Sequence, residues 1–166
     1  MKTTLVCLTC GLIALSAGCG MMDRGMEGAA TDQAVSRVRG KGMTISVSLP
    51  KRDWQIGEAI PVEATAVNNT GSAIDVVSPS GAPILVRVMR PSKGSFEQVR
   101  LYPSSATSNI INWTLPAHGS RTYKLMVPVE PDWPVAEPLR LSAELNGYPK
   151  YSPGVTITVR PGSLKR

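Results

Sequence analysis

Two short stretches, MTISVSL (residues 43–49) and IPVEATAV (residues 60–67), decide the fold of this chain. In both, an apolar side chain occupies every second position: Met43, Ile45, Val47 and Leu49 in the first, and Ile60, Val62, Ala64 and Ala66 in the second. Successive side chains of a strand point to opposite faces, so this alternation indicates strands with one buried and one solvated face.

The same pattern recurs to the end of the chain, separated by turns rich in Pro, Gly and Asn. Further strands are predicted at residues 73–77, 83–90, 96–102, 110–115, 121–127, 139–145 and 155–160. No convincing amphipathic helix separates these segments, which excludes a parallel α/β fold. We therefore predict one all-β domain over residues 43–160, an immunoglobulin-like or fibronectin-like antiparallel β-sandwich of about seven to nine strands.

Turn motifs carry a resemblance to a known kind of domain. IGEAIPVEATAVNNTGSAIDV (56–76) has a Gly-Glu lead into a strand and an Asn-rich turn after it, and LPAHGSRTYKLMV (115–127) has a Pro-x-x-Gly turn before a strand. These features resemble bacterial immunoglobulin-like domains, including the type called an intracellular proteinase inhibitor. Because the shared features are turn chemistry, the resemblance implies a fold more than a function.

The N-terminus has the layout of a secretory signal peptide. Lys2 precedes an uncharged run, residues 3–22, whose side chains become small just before Cys19. LSAGC (residues 15–19) resembles the bacterial lipobox, although Ser16 stands where that family usually has Leu. The resemblance implies cleavage between Gly18 and Cys19, removal of residues 1–18 and attachment of a diacylglyceryl group to the Cys19 sulfur.

Lipidation would determine where the protein works. Two or more acyl chains anchor a protein stably, since each buried methylene contributes about 0.8 kcal/mol. In the lipoprotein family, Gly20 after the Cys is compatible with the outer membrane of a two-membrane host; otherwise we expect the outer face of the plasma membrane. An uncleaved signal anchor and secretion with a different cut remain as alternatives.

Residues 19–42 are Gly-rich and mixed in charge, so we predict the lipidated Cys19 and a flexible linker with a reach of roughly 25 Å. Residues 27–38 could form a short helix, and residues 161–166 form a basic tail. Cys7 and Cys10 make a CxxC pair, but both lie in the segment predicted to be removed, and no second pair completes four zinc ligands.

The chain carries 18 Lys and Arg against 12 Asp and Glu, a formal charge of +6 that favours anionic neighbours. Arg87, Arg90, Lys93 and Arg100 cluster along one predicted hairpin, with Arg87 expected near Arg100 across the ladder. They are candidates for contact with an anionic surface, or they protect an exposed edge from aggregation. We expect no nucleic-acid partner.

The three tryptophans form the second candidate contact set. Trp113 lies in an apolar strand and is assigned to the core, whereas Trp54 and Trp133 lie in predicted loops. An exposed Trp can stack on a sugar or anchor a protein partner. The alternative is that these two rings cap the ends of the sandwich.

Catalysis finds little support in the sequence. His118 is the single histidine and lies in the turn PAHG, and SLPK (48–51) matches the S-x-x-K of penicillin-binding enzymes without that family's other motifs. The triplets at Asn68 and Asn112 match the glycosylation pattern but are assigned to a turn and a strand. We expect neither an enzyme nor any bound metal or cofactor.

These observations leave three functions open. The first is a lipid-anchored envelope protein that binds another envelope protein or joins an assembly, held to the bilayer through acylated Cys19. The second is a glycan-binding module, and the third is a proteinase inhibitor, which rests on the family resemblance alone.

Overall fold

The computed structural model describes residues 33–40 and 42–162, and they form an all-β sandwich. The strands are β1 (Ala34–Gly40), β2 (Met43–Leu49), β3 (Asp53–Gln55), β4 (Ala59–Asn68), β5 (Ile74–Ser78), β6 (Ile84–Ser92), β7 (Ser95–Tyr102), β8 (Ile111–Leu115), β9 (Ser120–Pro128), β10 (Pro138–Leu145) and β11 (Gly154–Arg160). All nine predicted strands are confirmed, and two further strands, β1 and β3, bring the number to eleven. The predicted signal peptide, the candidate cleavage site and Cys19 lie outside the described residues.

Two sheets make up the body of the sandwich. One has the order β1-β2-β4-β9 and the other the order β3-β11-β10-β6-β7. In the immunoglobulin lettering, β2, β4 and β9 take the places of A, B and E, and β11, β10, β6 and β7 those of G, F, C and C′. One pair departs from the predicted antiparallel arrangement, because β3 runs parallel to β11.

The alternating apolar residues of the two sheets meet in a single core. β2 shows a strict alternation of buried and half-buried residues, as its sequence predicts. The largest fully buried side chains are Ile45, Leu49, Ile60, Leu115, Leu139, Leu141, Leu145 and Ile157. Each buried aliphatic side chain of this size contributes about 1.5–3 kcal/mol, so this shared face holds the sheets together.

The predicted linker is shorter than its sequence suggests. Within residues 19–42, β1 pairs antiparallel with β2 over seven residues, from Ala34 opposite Leu49 to Gly40 opposite Met43. The described part of the suggested 27–38 helix is therefore strand. The inward-facing residues of β1 include Ser36 and Gly40, so its sequence shows only a weak apolar alternation. The pairing with β2 therefore determines the conformation of β1.

The missed strand β3 depends on contacts distant in sequence. Asp53–Gln55 pairs with residues 158–160 of β11, and the backbone N–H of Gln55 donates to Glu58 Oε2 at 2.7 Å. The ammonium of Lys51, which donates to Glu58 Oε1 at 2.8 Å, and the bond from Gln55 lower the pKa of the Glu58 carboxyl. The Gly-Glu lead noted in the sequence is thus a turn that fixes the start of β4.

A third, two-stranded unit pairs β5 with β8. The Asn-rich turn before β5 is organised by Asn68, which is 1% exposed. Its Nδ2 donates to the carbonyls of Ser72 at 2.7 Å and Pro116 at 2.9 Å, and its Oδ1 accepts from the backbone N–H of Thr70. Asn68 therefore joins the turn before β5 to the turn after β8.

Across residues 33–40 and 42–162, the structure contains no helix with the length and apolar character needed to cross a membrane.

Candidate functional site

An apolar groove opens along one side of the sandwich, where the two sheets end. The last strand of the first sheet on this side is β9, and the last of the second is β7. The groove has a volume of about 320 Å³. Its lining residues are Val62 and Ala64 of β4, Tyr123, Lys124 and Leu125 of β9, Ile84 and Val86 of β6, and residues 81–83, 103 and 105–107 of two connecting segments.

The floor of the groove is the hydrophobic core itself. Val62, Ala64 and Val86 are almost fully buried, whereas Tyr123 and Leu125 on the core-facing side of β9 are only partly buried. No further strand covers these two side chains in the described part of the chain. The groove therefore exposes core-facing apolar surface at a sheet edge.

A backbone hydrogen bond holds the far wall in place. The Gly81 N–H donates to the Thr107 carbonyl at 2.9 Å, which ties the segment before β6 to the segment after β7. A side chain at Gly81 would collide with the Thr107 hydroxyl. Gly81 thus permits the close approach of two segments that form one wall.

An aromatic cluster lies at one end of the groove. The Trp113 and Tyr123 rings meet edge-on with centroids 5.8 Å apart, and the Arg121 guanidinium lies 5.1 Å from the Trp113 ring and 5.3 Å from the Tyr123 ring. The Tyr123 hydroxyl is buried without a hydrogen-bond partner among the described residues, and burial raises its pKa. The salt bridges of the described region include none to Arg121, so its charge is held by aromatic faces.

The β4–β9 register determines which backbone groups β9 leaves free. The Val129 N–H donates to the Glu58 carbonyl at 2.8 Å, and the Asn68 N–H donates to the Gly119 carbonyl at 2.9 Å. Hydrogen-bonded and non-hydrogen-bonded pairs alternate in an antiparallel ladder. Between these two fixed points, residues 121, 123, 125 and 127 therefore bond to β4, and residues 120, 122, 124 and 126 direct N–H and C=O groups to the free edge.

The predicted basic patch has a different geometry from the one expected. Arg87 pairs with Leu101, and Arg100 pairs with Val88, so the two guanidinium groups lie on opposite faces of the hairpin and the expected proximity is wrong. Neighbouring residues of a strand face opposite ways, which is the reason. The fourth member, Lys93, lies in the hairpin turn with a positive φ of 40°.

Each of the three arginines has an acidic partner. Arg87 bonds Glu144 at 2.8 Å, Arg90 bonds Glu97 at 2.9 Å, and Arg100 bonds Glu130 at 3.2 Å. Arg100 also pairs with Asp132. The carboxylates offset much of the positive charge that the sequence places on this hairpin.

The Arg100 cluster anchors a loop to β7. The Tyr102 hydroxyl donates to Glu130 Oε1 at 2.8 Å, and this bond with that from Arg100 lowers the pKa of the Glu130 carboxyl. Burial and the Glu130 carboxylate raise the pKa of Tyr102 to about 12. The Tyr102 ring packs 6.4 Å from the Trp133 ring, so these groups fix the loop that carries Trp133.

The two candidate contact tryptophans are buried. Trp54 is 4% exposed and Trp133 is 2% exposed, and both belong to the core cluster. Trp54 also lies beneath the Lys51 ammonium, which is 4.4 Å from its ring. The prediction that these rings are available for sugar or partner contact is wrong, because β3 and the loop before β10 fold them inward. Trp113 is core, as predicted.

The remaining residues considered for catalysis or metal binding do not come together in one site. His118 is exposed in its turn, with a positive φ of 54°, and its backbone N–H donates to the Thr70 carbonyl. Ser48 lies near the end of β2, a strand rather than the start of a helix. Within the residues described, no three His, Cys, Asp or Glu side chains are grouped as metal ligands would be.

Comparisons with known proteins give distant structural similarities. No family model and no curated protein matches the sequence. Among solved structures, the chain is similar to the sporulation control protein Spo0M from Bacillus subtilis, with 11% identity, a TM-score of 0.49, and coverage of 72% of this chain and 49% of Spo0M.

Two structures of a β-glucosidase from Listeria innocua are also similar. The complex with glucose has 18% identity and a TM-score of 0.45, and the complex with gluconolactone has 16% identity and a TM-score of 0.44. These matches cover 71% and 79% of this chain but only 16% of the glucosidase chain. The chain thus spans about half of Spo0M and a small part of the glucosidase, and at TM-scores below 0.5 these similarities support no functional assignment.

The hairpin ion pairs predict unequal effects of two similar substitutions. Glu144 is 7% exposed, so Arg87→Ala leaves a buried carboxylate without its main partner, and we expect a loss of about 2–3 kcal/mol in the free energy of unfolding. Arg90→Ala breaks an exposed pair and serves as the control, with an expected loss below about 1 kcal/mol. Urea denaturation measures both, and equal losses would contradict the assignment.

Proposed function

We propose that this protein is a lipid-anchored lipoprotein of the bacterial cell envelope whose β-sandwich domain is non-catalytic and binds another envelope protein. The anchor is inferred from the sequence before Cys19, and the binding role from the apolar groove beside β9. In this account the acyl chains hold Cys19 at the bilayer, and the residues between Cys19 and Ala34 connect it to the first strand of the domain.

The groove is the observation that carries the binding role. A protein ordinarily buries core-facing residues, and exposed apolar surface beside a sheet edge is typical of an interaction site. Tyr123 and Leu125 face the core but are only partly buried, and both line the groove beside the edge of β9. A protein segment is the favoured ligand because the groove adjoins unpaired backbone groups as well as apolar side chains.

A glycan-binding role has no comparable support. Sugar recognition commonly uses an accessible aromatic face, and Trp54 and Trp133, the rings that the sequence offered for it, are buried. The proteinase-inhibitor alternative continues to rest on turn motifs alone.

The anchor is tested by cysteine substitution. We expect that Cys19→Ser abolishes incorporation of labelled palmitate and releases the protein from the membrane fraction, because the lipid is attached to that sulfur. Cys7→Ser and Cys10→Ser are matched controls that should keep both label and location. A mature chain that begins at another residue, or a labelled Cys19→Ser variant, would contradict the anchor.

The binding role is tested by crosslinking in intact cells. A photoreactive side chain at Ala106, an exposed residue of the groove wall, should crosslink to a defined envelope protein that mass spectrometry identifies. The control position is Val35, which is 45% exposed on β1 at the opposite edge of the same sheet. Crosslinks of equal yield from both positions, or none from Ala106 in correctly located protein, would overturn the proposal.

A further inference from the structure

We propose that the groove accepts one extended polypeptide segment of the partner, which adds to the free edge of β9 as a fifth strand of the first sheet. This inference rests on the proposed protein-binding function and specifies how binding occurs. The segment has apolar residues at alternate positions and an acidic residue at the end that lies near Arg121.

The free edge of β9 carries a regular array of backbone hydrogen-bonding groups. Residues 120, 122, 124 and 126 direct their N–H and C=O groups away from β4, and the described part of the chain provides no backbone partner for them. Groups on alternate residues of a strand repeat about every 6.8 Å. Another extended backbone matches this spacing, so polypeptide is the ligand class that satisfies the whole edge.

The groove lies beside that edge, on its core-facing side. A strand added beside β9 would continue the first sheet, and every second side chain would point toward the second sheet. The space on that side is the groove, with Ile84 and Val86 of β6 and residues 103 and 105–107 opposite. The apolar volume therefore lies where the inward side chains of an added strand belong.

A positive charge lies at one end of the edge. Arg121 lies beside the aromatic cluster at one end of the edge, and none of the salt bridges in the described residues involves it. On the same strand, Lys124 already pairs with Glu63 at 2.6 Å. An acidic residue of the partner would complement this charge, which places that residue at the Arg121 end of the edge.

The edge has a defined end at Pro128. Pro128 closes β9, and a proline has no N–H to offer. Its carbonyl lies 3.4 Å from the Tyr102 hydroxyl, within the network that anchors the loop after β9. The free edge therefore extends from Ser120 to Met126, which accommodates a segment of about seven residues.

The test uses the purified full chain in detergent and a substitution confined to the edge. Lys124→Pro removes an N–H that points away from β4, so the ladder with β4 is retained, as for prolines found on sheet edges. Lys124→Ala is the matched control, since it loses the same ion pair with Glu63 but keeps the N–H. Denaturation of both variants shows whether each remains folded.

The probe is a fluorescent nine-residue peptide with glutamate at both ends, three valines at alternate positions between them, and serine at the remaining positions, so that the glutamates and valines share one face. We expect Lys124→Pro to bind it about tenfold more weakly than Lys124→Ala does, as loss of one or two hydrogen bonds predicts, because the two variants share the loss of the lysine side chain and differ in the N–H. Equal binding by Lys124→Pro and Lys124→Ala would overturn strand addition.

A second measurement needs no variant and applies even if Lys124→Pro fails to fold. Two versions of the peptide carry N-methyl groups, one on the valine amides and one on the serine amides. In an added strand, only one set of amides faces β9, so one version should lose binding and the other should keep it. If both versions bind like the parent, the edge is not used.

Other outcomes separate this inference from the proposed function. A partner crosslinked at Ala106 that binds regardless of Lys124→Pro would keep the binding role and overturn strand addition. A dimer of the full chain that Lys124→Pro converts to monomer would identify a second copy of this chain as the occupant and overturn the proposed partner segment. Absence of both crosslink and peptide binding would overturn the two together.

Discussion

The register between β4 and β9 is the constraint on which the proposed binding account depends. Two backbone bonds, one at each end of the pair, fix which residues of β9 face β4. Because the side-chain and hydrogen-bond periods of a strand are both two, this register also assigns Tyr123 and Leu125 to the core-facing side. A slip of one residue would turn Lys124 toward the core and Tyr123 toward solvent, at a large cost in buried apolar surface.

The sequence predicts most of the sandwich because its signals are local. Alternation within β2 and β4, and turn residues such as those around Asn68, are visible in single segments of chain. The two missed strands lack such signals. β1 has small inward residues between arginines, and β3 is three residues long and exists through its parallel pairing with β11 and the bond to Glu58. The conformation of β1 depends on its pairing with the adjacent β2, and that of β3 on its pairing with a strand distant in sequence.

The candidate site was harder to predict, for a related reason. The groove lies between two sheets, and its lining comes from segments as far apart in the chain as Val62 and Leu125, so no single sequence motif indicates it. The basic hairpin and the tryptophans were visible in the sequence, but their environments were not. Arg87 is offset by Glu144 from another strand, and Trp133 is folded into the core beside Tyr102. The sequence contains one relevant signal, the alternation of apolar residues in RTYKLMV, which predicts a half-buried strand. That this strand has a neighbour on only one side is visible in the sheet order alone.

The central claim is that β9 is an edge whose alternate backbone groups are free. Residue-resolved amide hydrogen exchange of the purified full chain tests it most directly. The account predicts slow exchange at Tyr123, Leu125 and Val127, whose N–H groups bond to β4, and fast exchange at Thr122, Lys124 and Met126. Uniform protection along β9, or the opposite alternation, would contradict it.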